Sequence, residues 1–327
     1  MTRTAAARAR ANIALVKYWG KRDLRLNLPA TGSLSMTCSS LVTETRVTFD
    51  DAAPRDEVLA DGAAAPEAFR QRASRFLDRV RSLAGMAAFA RVETRATFPV
   101  ASGLASSSSG FAALALASTR AAGLDLPLPA LAALAREGSG SAPRSLLGGF
   151  VELPAGMSPD GSDCVPVQVA AADAWDVRLV IAVNGAGEKA VGSTEGMERS
   201  RATSPFYPAW IARGAGDLEA AKAALAARDL PALGRVAEAN AFSMHAVALS
   251  SNPPILYWNA ATVDAVNRVR ALRAEGAGAW VTIDAGPHVK VLCGPGDAAA
   301  VADALRGVAG VTEVRVERPG EGAEVLG

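Results

Sequence analysis

The run Phe98-Pro99-Val100-Ala101-Ser102-Gly103-Leu104-Ala105-Ser106-Ser107-Ser108-Ser109-Gly110 constrains this chain more than any other. Ahead of it, Ala90, Val92, Thr94, Ala96 and Phe98 alternate with Arg91, Glu93 and Arg95, the period of a half-buried strand. Behind it, residues 111–117 are apolar without interruption. The order is therefore strand, small-residue loop, helix. Glycines let backbone approach a ligand closely, and the free N–H groups of a helix start, with the helix dipole, favour an anion. Serine hydroxyls can add ligands to phosphate oxygens or to a metal ion. The run also reads as a flexible Ser/Gly linker, although linkers seldom join a strand directly to a buried helix. No Lys-Ser or Lys-Thr follows a closing glycine, which rules out a Walker A loop.

A chain of 327 residues that is half apolar can bury the cores of two ordinary domains. Its net charge of +1 gives no sign of a nucleic-acid or membrane partner. Cys38, Cys164 and Cys293 are odd in number and widely spaced, which suits buried thiols in a reduced compartment and not a disulfide framework or zinc site. No apolar run reaches membrane-spanning length. Residues 1–10 have the Arg- and Ala-rich, acid-free composition of a transit peptide, but the apolar stretch 13–16 is far too short for a signal peptide. The expectation is a cytoplasmic protein.

Strands are expected at 43–49 and 57–60, with Asp61-Gly62 as a turn. Phe69, Ala73, Phe76, Leu77, Val80 and Leu83 recur at helical spacing on an Arg-rich background, giving an amphipathic helix begun at Pro66. A helix over 129–136 ends at Gly138, and a strand follows at 150–153. Residues 154–176 read as a long Pro/Gly/Asp-rich connection, and an apolar strand at 177–183 opens a second half. There, helices at 218–226 and 230–249 precede a helix with Thr262 as N-cap, carrying Val266, Val269 and Leu272 and closed by Gly276. Strands at 280–283 and 289–293, a helix at 298–305 and a strand at 311–316 complete a β-α-α-β-β-α-β order close to a split βαβ. The Ala-rich stretches fit helices of a GC-rich coding sequence better than disorder.

Three further segments could carry chemistry. Lys17-Tyr18-Trp19-Gly20-Lys21-Arg22 is either a surface strand with snorkelling lysines or an anion clamp walled by two rings. Gly138-Ser139-Gly140-Ser141-Ala142-Pro143-Arg144-Ser145 is either a helix cap beside a surface arginine or a second phosphate or carboxylate loop, which arginine's planar fork suits. Two Gly/Ser segments with cations to hand favour two phosphorylated ligands, a nucleotide and a substrate. Asp284, in a Gly-Pro turn between apolar strands, either bonds its own backbone or is a buried functional carboxylate. His245 and His288 are too few for a His-based metal site, and His245 reads as a satisfied core residue.

Taken together, these segments resemble the mevalonate diphosphate decarboxylases of the GHMP kinase superfamily from Asn12 to about Cys293. The segment 12–21 with Leu26-Asn27-Leu28-Pro29 is similar to that family's opening signature. Gly103-Leu104-Ala105-Ser106-Ser107 resembles its phosphate loop, and Gly138-Ser139-Gly140-Ser141-Ala142 with Arg144 its substrate loop. Ser193-Thr194-Glu195-Gly196-Met197, Met244-His245 and Asp284-Ala285-Gly286-Pro287 are similar too. The resemblance implies a two-domain α+β GHMP kinase fold, with a ribosomal-protein-S5-like domain at 1–176 and a ferredoxin-like, split βαβ domain at 177–327. It implies ATP and Mg2+ as cofactors, mevalonate 5-diphosphate as substrate, isopentenyl diphosphate as product, and a homodimer. Asp284 and Lys17 would be catalytic. Tyr18, Trp19, Lys21, Ser139, Gly140, Ser141, Arg144, Ser193 and Met197 would bind substrate. Gly103, Leu104, Ala105, Ser106, Ser107 and Ser108 would bind ATP, with Ser107 a ligand for the Mg2+ it carries.

The chain departs from the family at Ala96, Thr97 and Val100, where Asn, Asn and Thr are usual. Ser102 and Ser108 replace alanines, and His288 stands where Asn is common. These departures keep open a relative that decarboxylates mevalonate 5-phosphate, or a 3-kinase. A silent ATP-binding regulator is a third possibility, but it would have no chemical need for Lys17, Arg144 and Asp284 together.

Overall fold

The computed structural model describes residues 2–98, 106–185 and 190–327. Val100, Ser102, Gly103, Leu104 and Ala105 lie outside the described residues. The chain begins with β1 (Thr2–Val16), β2 (Lys21–Asp23), β3 (Leu28–Pro29), β4 (Ser33–Asp50), β5 (Glu57–Ala60), β6 (Ala63–Ala64), α1 (Glu67–Ala84) and β7 (Phe89–Ala96). It continues through α2 (Ser106–Ala121), α3 (Leu128–Gly138), a 3-10 turn (Ala142–Leu146), β8 (Phe150–Leu153) and β9 (Val167–Ala170). The second half runs β10 (Arg178–Asn184), α4 (Ser193–Thr203), α5 (Tyr207–Ala226), α6 (Leu230–Leu249), α7 (Ala260–Ala274), β11 (Ala279–Ile283), β12 (Val289–Cys293), α8 (Ala298–Arg306), β13 (Val311–Glu317) and β14 (Glu324–Leu326).

Among the described residues the first sheet has the order β14-β1-β4-β7-β5-β6, extended by β8 on β4 and β9 on β8. The β5–β7 pair is parallel, and α1 supplies the crossover such a pair requires. Residues 2–10 are the outer half of β1, paired with β4 and capped by β14 from the far end of the chain. Small side chains explain the close seat of α2 on this sheet. Ala7 and Ala9 of β1 share one core with Ala112, Ala113, Ala115 and Ala117 of α2. A register shift between Arg10 and Asn12 then redirects the strand. Beyond it, Ala11, Ile13 and Leu15 enter a second core with α5 and α6, while Asn12 and Ala14 line a cleft.

The second sheet is antiparallel, in the order β11-β12-β10-β13. Val289, Val291 and Cys293 of β12 pack with α7 and α8, whereas Leu292 faces the core shared with β1. Two sheets in two lobes, with helices laid on each, make the α+β GHMP kinase fold that the resemblance implied.

Several expectations shift by a few residues for identifiable reasons. The N-cap of α7 is Asn259, and Thr262 sits three residues on as its reciprocal partner in a capping box. Leu83, placed on the buried face of α1, is 50% exposed because it lies beyond the ridge that Phe76, Leu77 and Val80 bury. The connection 154–176 contains β9. Helix α4 and the first half of α5 were not expected, since α4 is largely polar and the start of α5 carries Pro208, Gly214 and Gly216.

Candidate active site

Where the end of β1 meets the β11–β12 turn, a cleft of about 1120 Å³ opens between the lobes. Lys17, one residue past β1, is only 2% exposed. Its Nζ donates to the Ala14 carbonyl at 2.8 Å and to Asp284 Oδ1 at 2.7 Å. Its backbone N–H donates to Asn240 Oδ1 at 2.8 Å, which pins the strand end to α6. Asp284 keeps 24% of its side chain exposed, on the cleft floor. A second ammonium, Lys290 Nζ, lies 3.0 Å from Oδ2 without hydrogen-bond alignment, so that oxygen is charge-compensated yet retains a lone pair for a ligand. Burial works against the ionised carboxylate, but the two ammonium groups outweigh it and hold the Asp284 carboxyl well below the usual range. Burial dominates at Lys17, which is pushed down to about 8 although Asp284 opposes the change.

One wall of the cleft is a polar network. The Arg144 guanidinium is held through Nε by Asn12 Oδ1 at 3.1 Å and Ser35 Oγ at 3.0 Å, and through Nη1 by Ser33 Oγ at 2.6 Å. None of these partners is an anion, and no described side chain claims Nη2. Burial pulls its pKa down to about 10. A buried guanidinium with only neutral partners is suited to receive an anionic ligand. Asn12 also donates to Ser145 Oγ at 2.7 Å and the Ser141 carbonyl at 3.2 Å, which ties the substrate-loop segment to β1. That loop fits closely: a Cβ on Gly140 would lie 2.4 Å from the Tyr18 hydroxyl. Gly20, at φ +114°, turns the chain away from β1 where a Cβ would strike Tyr207.

A second stretch of the lining is cationic. Arg72, Arg75 and Arg79 sit at positions i, i+3 and i+7 of α1, one helical face, and all line the cleft. Arg72 is fixed by a bond to the Gly138 carbonyl at 3.0 Å and by the Phe111 ring, 4.4 Å from its guanidinium carbon. Ser107, in the first turn of α2, lies 3.4 Å from Ser139, which lies 3.4 Å from Ser141. A line of hydroxyls thus runs from the helix start toward Arg144. Lys21, its pKa lowered by burial, donates to Asn27 Oδ1 at 2.7 Å and Thr194 Oγ1 at 3.3 Å. Trp19, Met197 and Met244 belong to one apolar cluster at the cleft floor.

The structure therefore brings Lys17, Tyr18, Trp19, Lys21, Ser139, Gly140, Ser141, Arg144, Ser193, Met197, Asp284 and Ser107 to one cleft. It does not bring Ser106 or Ser108 there, and Ser108 is wholly buried within α2. Thr97, at a family departure, spends its hydroxyl on the Ser40 carbonyl at 2.7 Å, away from the cleft. His245 is neutral, lowered to about 3 by burial, and its Nε2 lies 3.3 Å from the Ile283 carbonyl. The sequence reading missed Lys290, the α1 arginines and the serines of β4. For Lys290 one signal existed: a single cation inside the otherwise apolar 289–293.

Residues 9–166 match the family described as Diphosphomevalonate decarboxylase-like N-terminal domain, and 179–319 match Mevalonate 5-diphosphate decarboxylase C-terminal domain. A diphosphomevalonate decarboxylase of Ganoderma lucidum is 35% identical over 88% of this chain and 77% of its own length. The mevalonate diphosphate decarboxylase of Staphylococcus aureus superposes with a TM-score of 0.94 at 36% identity, over 100% of this chain and 99% of that one. MDDEF, solved in complex with MVAPP, AMPPCP and magnesium, superposes with a TM-score of 0.93 at 37% identity, over 100% and 99% of the two chains.

Proposed function

Because the chain belongs to the diphosphomevalonate decarboxylase family, we infer that it is an ATP-dependent enzyme that converts mevalonate 5-diphosphate to isopentenyl diphosphate, ADP, phosphate and CO2. The observation that carries this reading is Asp284, ionised on the cleft floor between buried cations, in a cleft also lined by Arg144, the arginines of α1 and Ser107. Two anionic ligands can meet over one carboxylate there.

The chemistry follows from what a tertiary alcohol needs. Its hydroxyl is a poor leaving group until a phosphoryl group is attached. Asp284 aligns the 3-hydroxyl toward the γ-phosphorus of ATP and takes its proton as the new O–P bond forms and the bond from the γ-phosphorus to the bridging oxygen breaks, releasing ADP. A carboxylate this strongly stabilised is a weak base, so the proton moves late, which suits a loose phosphoryl-transfer transition state. Lys17 compensates charge gathering beside the transferring group. The C3–O bond of the phosphorylated intermediate then breaks and phosphate departs. The electron pair of the C–CO2 bond becomes the new alkene as CO2 leaves. Arg144 and Lys21 hold the substrate's carboxylate and diphosphate, with Tyr18, Trp19, Ser139, Gly140, Ser141, Ser193 and Met197 shaping that end.

Arg72, Arg75 and Ser107 take the phosphates of ATP. Mg2+ fits here as part of the nucleotide: no cluster of three His, Cys, Asp or Glu exists among the described residues, so the ion's ligands would be phosphate oxygens with the Ser107 hydroxyl. When bound, it neutralises phosphate charge. ADP, phosphate and CO2 should appear in equal amounts from mevalonate 5-diphosphate; ADP without CO2 would reduce the enzyme to a 3-kinase.

We take residues 1–176 and 177–327 as the two lobes, with β14 returning to the first. Among the described residues no helix is long and apolar enough to cross a membrane. A cytoplasmic homodimer is carried by the family resemblance alone, and sedimentation at micromolar concentration tests the dimer.

A further inference from the structure

We propose that Lys290 is a positioning residue for the reaction, a second buried cation that fixes the aim of Asp284 and sets the working pH of the Lys17–Asp284 pair. The proposal rests on the function inferred above. Lys290 is 1% exposed and is not among the described residues that line the cleft, whereas Asp284, 3.0 Å from its Nζ, is. Its place on β12 is unusual. Strand alternation turns Val289, Val291 and Cys293 toward α7 and α8. Lys290 points to the other face, beside Ile181 of β10 and Thr282 of β11, where Leu292 joins an apolar core.

Stability alone does not explain this arrangement. Lys17 already neutralises Asp284 at 2.7 Å, and a second ammonium stands 3.0 Å from the other oxygen, so two buried cations share one carboxylate. Among the described residues, the further groups that act on the pair are cationic or neutral. Arg144 on the 3-10 turn is a further cation. His245 on α6 is neutral, and the Cys38 thiol on β4 is pushed up by burial and stays protonated. With Lys17 at Oδ1 and Lys290 at Oδ2, Asp284 is also kept from rotating toward Lys17 alone.

This role has a signature that a packing role lacks. The Lys290 charge lowers the pKa of both Lys17 and Asp284. Removing it moves both upward, by about one pH unit or more for a full charge at this range. Lys290→Met keeps the aliphatic stem and removes the charge, Lys290→Gln does the same with a polar tip should the first not fold, and Lys290→Arg keeps the charge. The chain has only five lysines, so 13Cε-lysine spectra of the whole enzyme resolve Lys17, assigned with a Lys17→Arg variant.

In wild type the Lys17 signal should titrate near 8. In Lys290→Met it should titrate about a unit or more higher, with Lys290→Arg close to wild type. In the pH–rate profile with mevalonate 5-diphosphate and ATP, both limbs of kcat/KM should move the same way, with kcat lowered and KM for each substrate little changed. A Lys17 signal that stays near 8 in Lys290→Met overturns the proposal. If the signal moves while wild type shows no turnover of mevalonate 5-diphosphate, the positioning role stands and the inferred function falls.

Discussion

Replacing Asp284 by asparagine should lower kcat by about a hundred- to ten-thousandfold, the range for loss of a general base. ATP and mevalonate 5-diphosphate should still bind within several-fold of wild type. The amide keeps the size of the side chain and can still accept from Lys17 at the position of Oδ1. What it loses is the charge that balances two ammonium groups and the oxygen that receives the hydroxyl proton. Those act mainly in the transition state, so the defect belongs in kcat and not in binding. A turn residue that merely bonded its own backbone would behave oppositely, with a lower Tm and nearly normal turnover per folded molecule. In the structure the ion pairs of Asp284 run to Lys17, just past β1, and to Lys290 on β12.

Arg144→Gln should lower kcat/KM for mevalonate 5-diphosphate by about ten- to a hundredfold, the worth of a lost charge-assisted pair, and change the KM for ATP little. The asymmetry follows from geometry. Arg144 is held by Asn12, Ser33 and Ser35, and its bonds do not run to the arginines of α1 or to Ser107. Lysine should not rescue the variant, because Nε and Nη1 are both engaged and a single ammonium cannot hold those partners and also face a ligand. Unchanged kcat/KM would remove Arg144 from the substrate end.

How much of this could be read from the sequence differs by the kind of signal each residue gives. Asp284, Arg144 and the serine loop sit in turns or at helix ends, where glycine and proline mark special backbone and a charged residue stands out. Their assembly into one cleft was legible only through family resemblance, because no local pattern says that residue 17 will meet residue 284. The arginines of α1 were hidden for the opposite reason. On an amphipathic helix, charges at i, i+3 and i+7 opposite an apolar ridge look like a solvated face, and only the placement of α2 and α3 turns that face over a cleft. Lys290 was hidden inside a strand whose apolar neighbours set the assignment. Ser108 was counted with its neighbours as a phosphate ligand, but the 3.6-residue period of α2 buries it while Ser107 faces out. Asn259 lost its capping role to Thr262 in the sequence because a capping box offers two plausible starts three residues apart.

The central claim is that the cations on the substrate side of this cleft are built for a diphosphate and that decarboxylation follows phosphorylation there. The most direct measurement gives the enzyme Mg-ATP with mevalonate, mevalonate 5-phosphate or mevalonate 5-diphosphate in parallel, each labelled at the carboxyl carbon, and counts released CO2. The diphosphate should be turned over with a kcat/KM at least about tenfold above the monophosphate, since one lost charge-assisted contact is worth that much, and mevalonate itself should release almost none. Preferred release of CO2 from the monophosphate, or ATP consumption without CO2 from any of the three, would contradict the account.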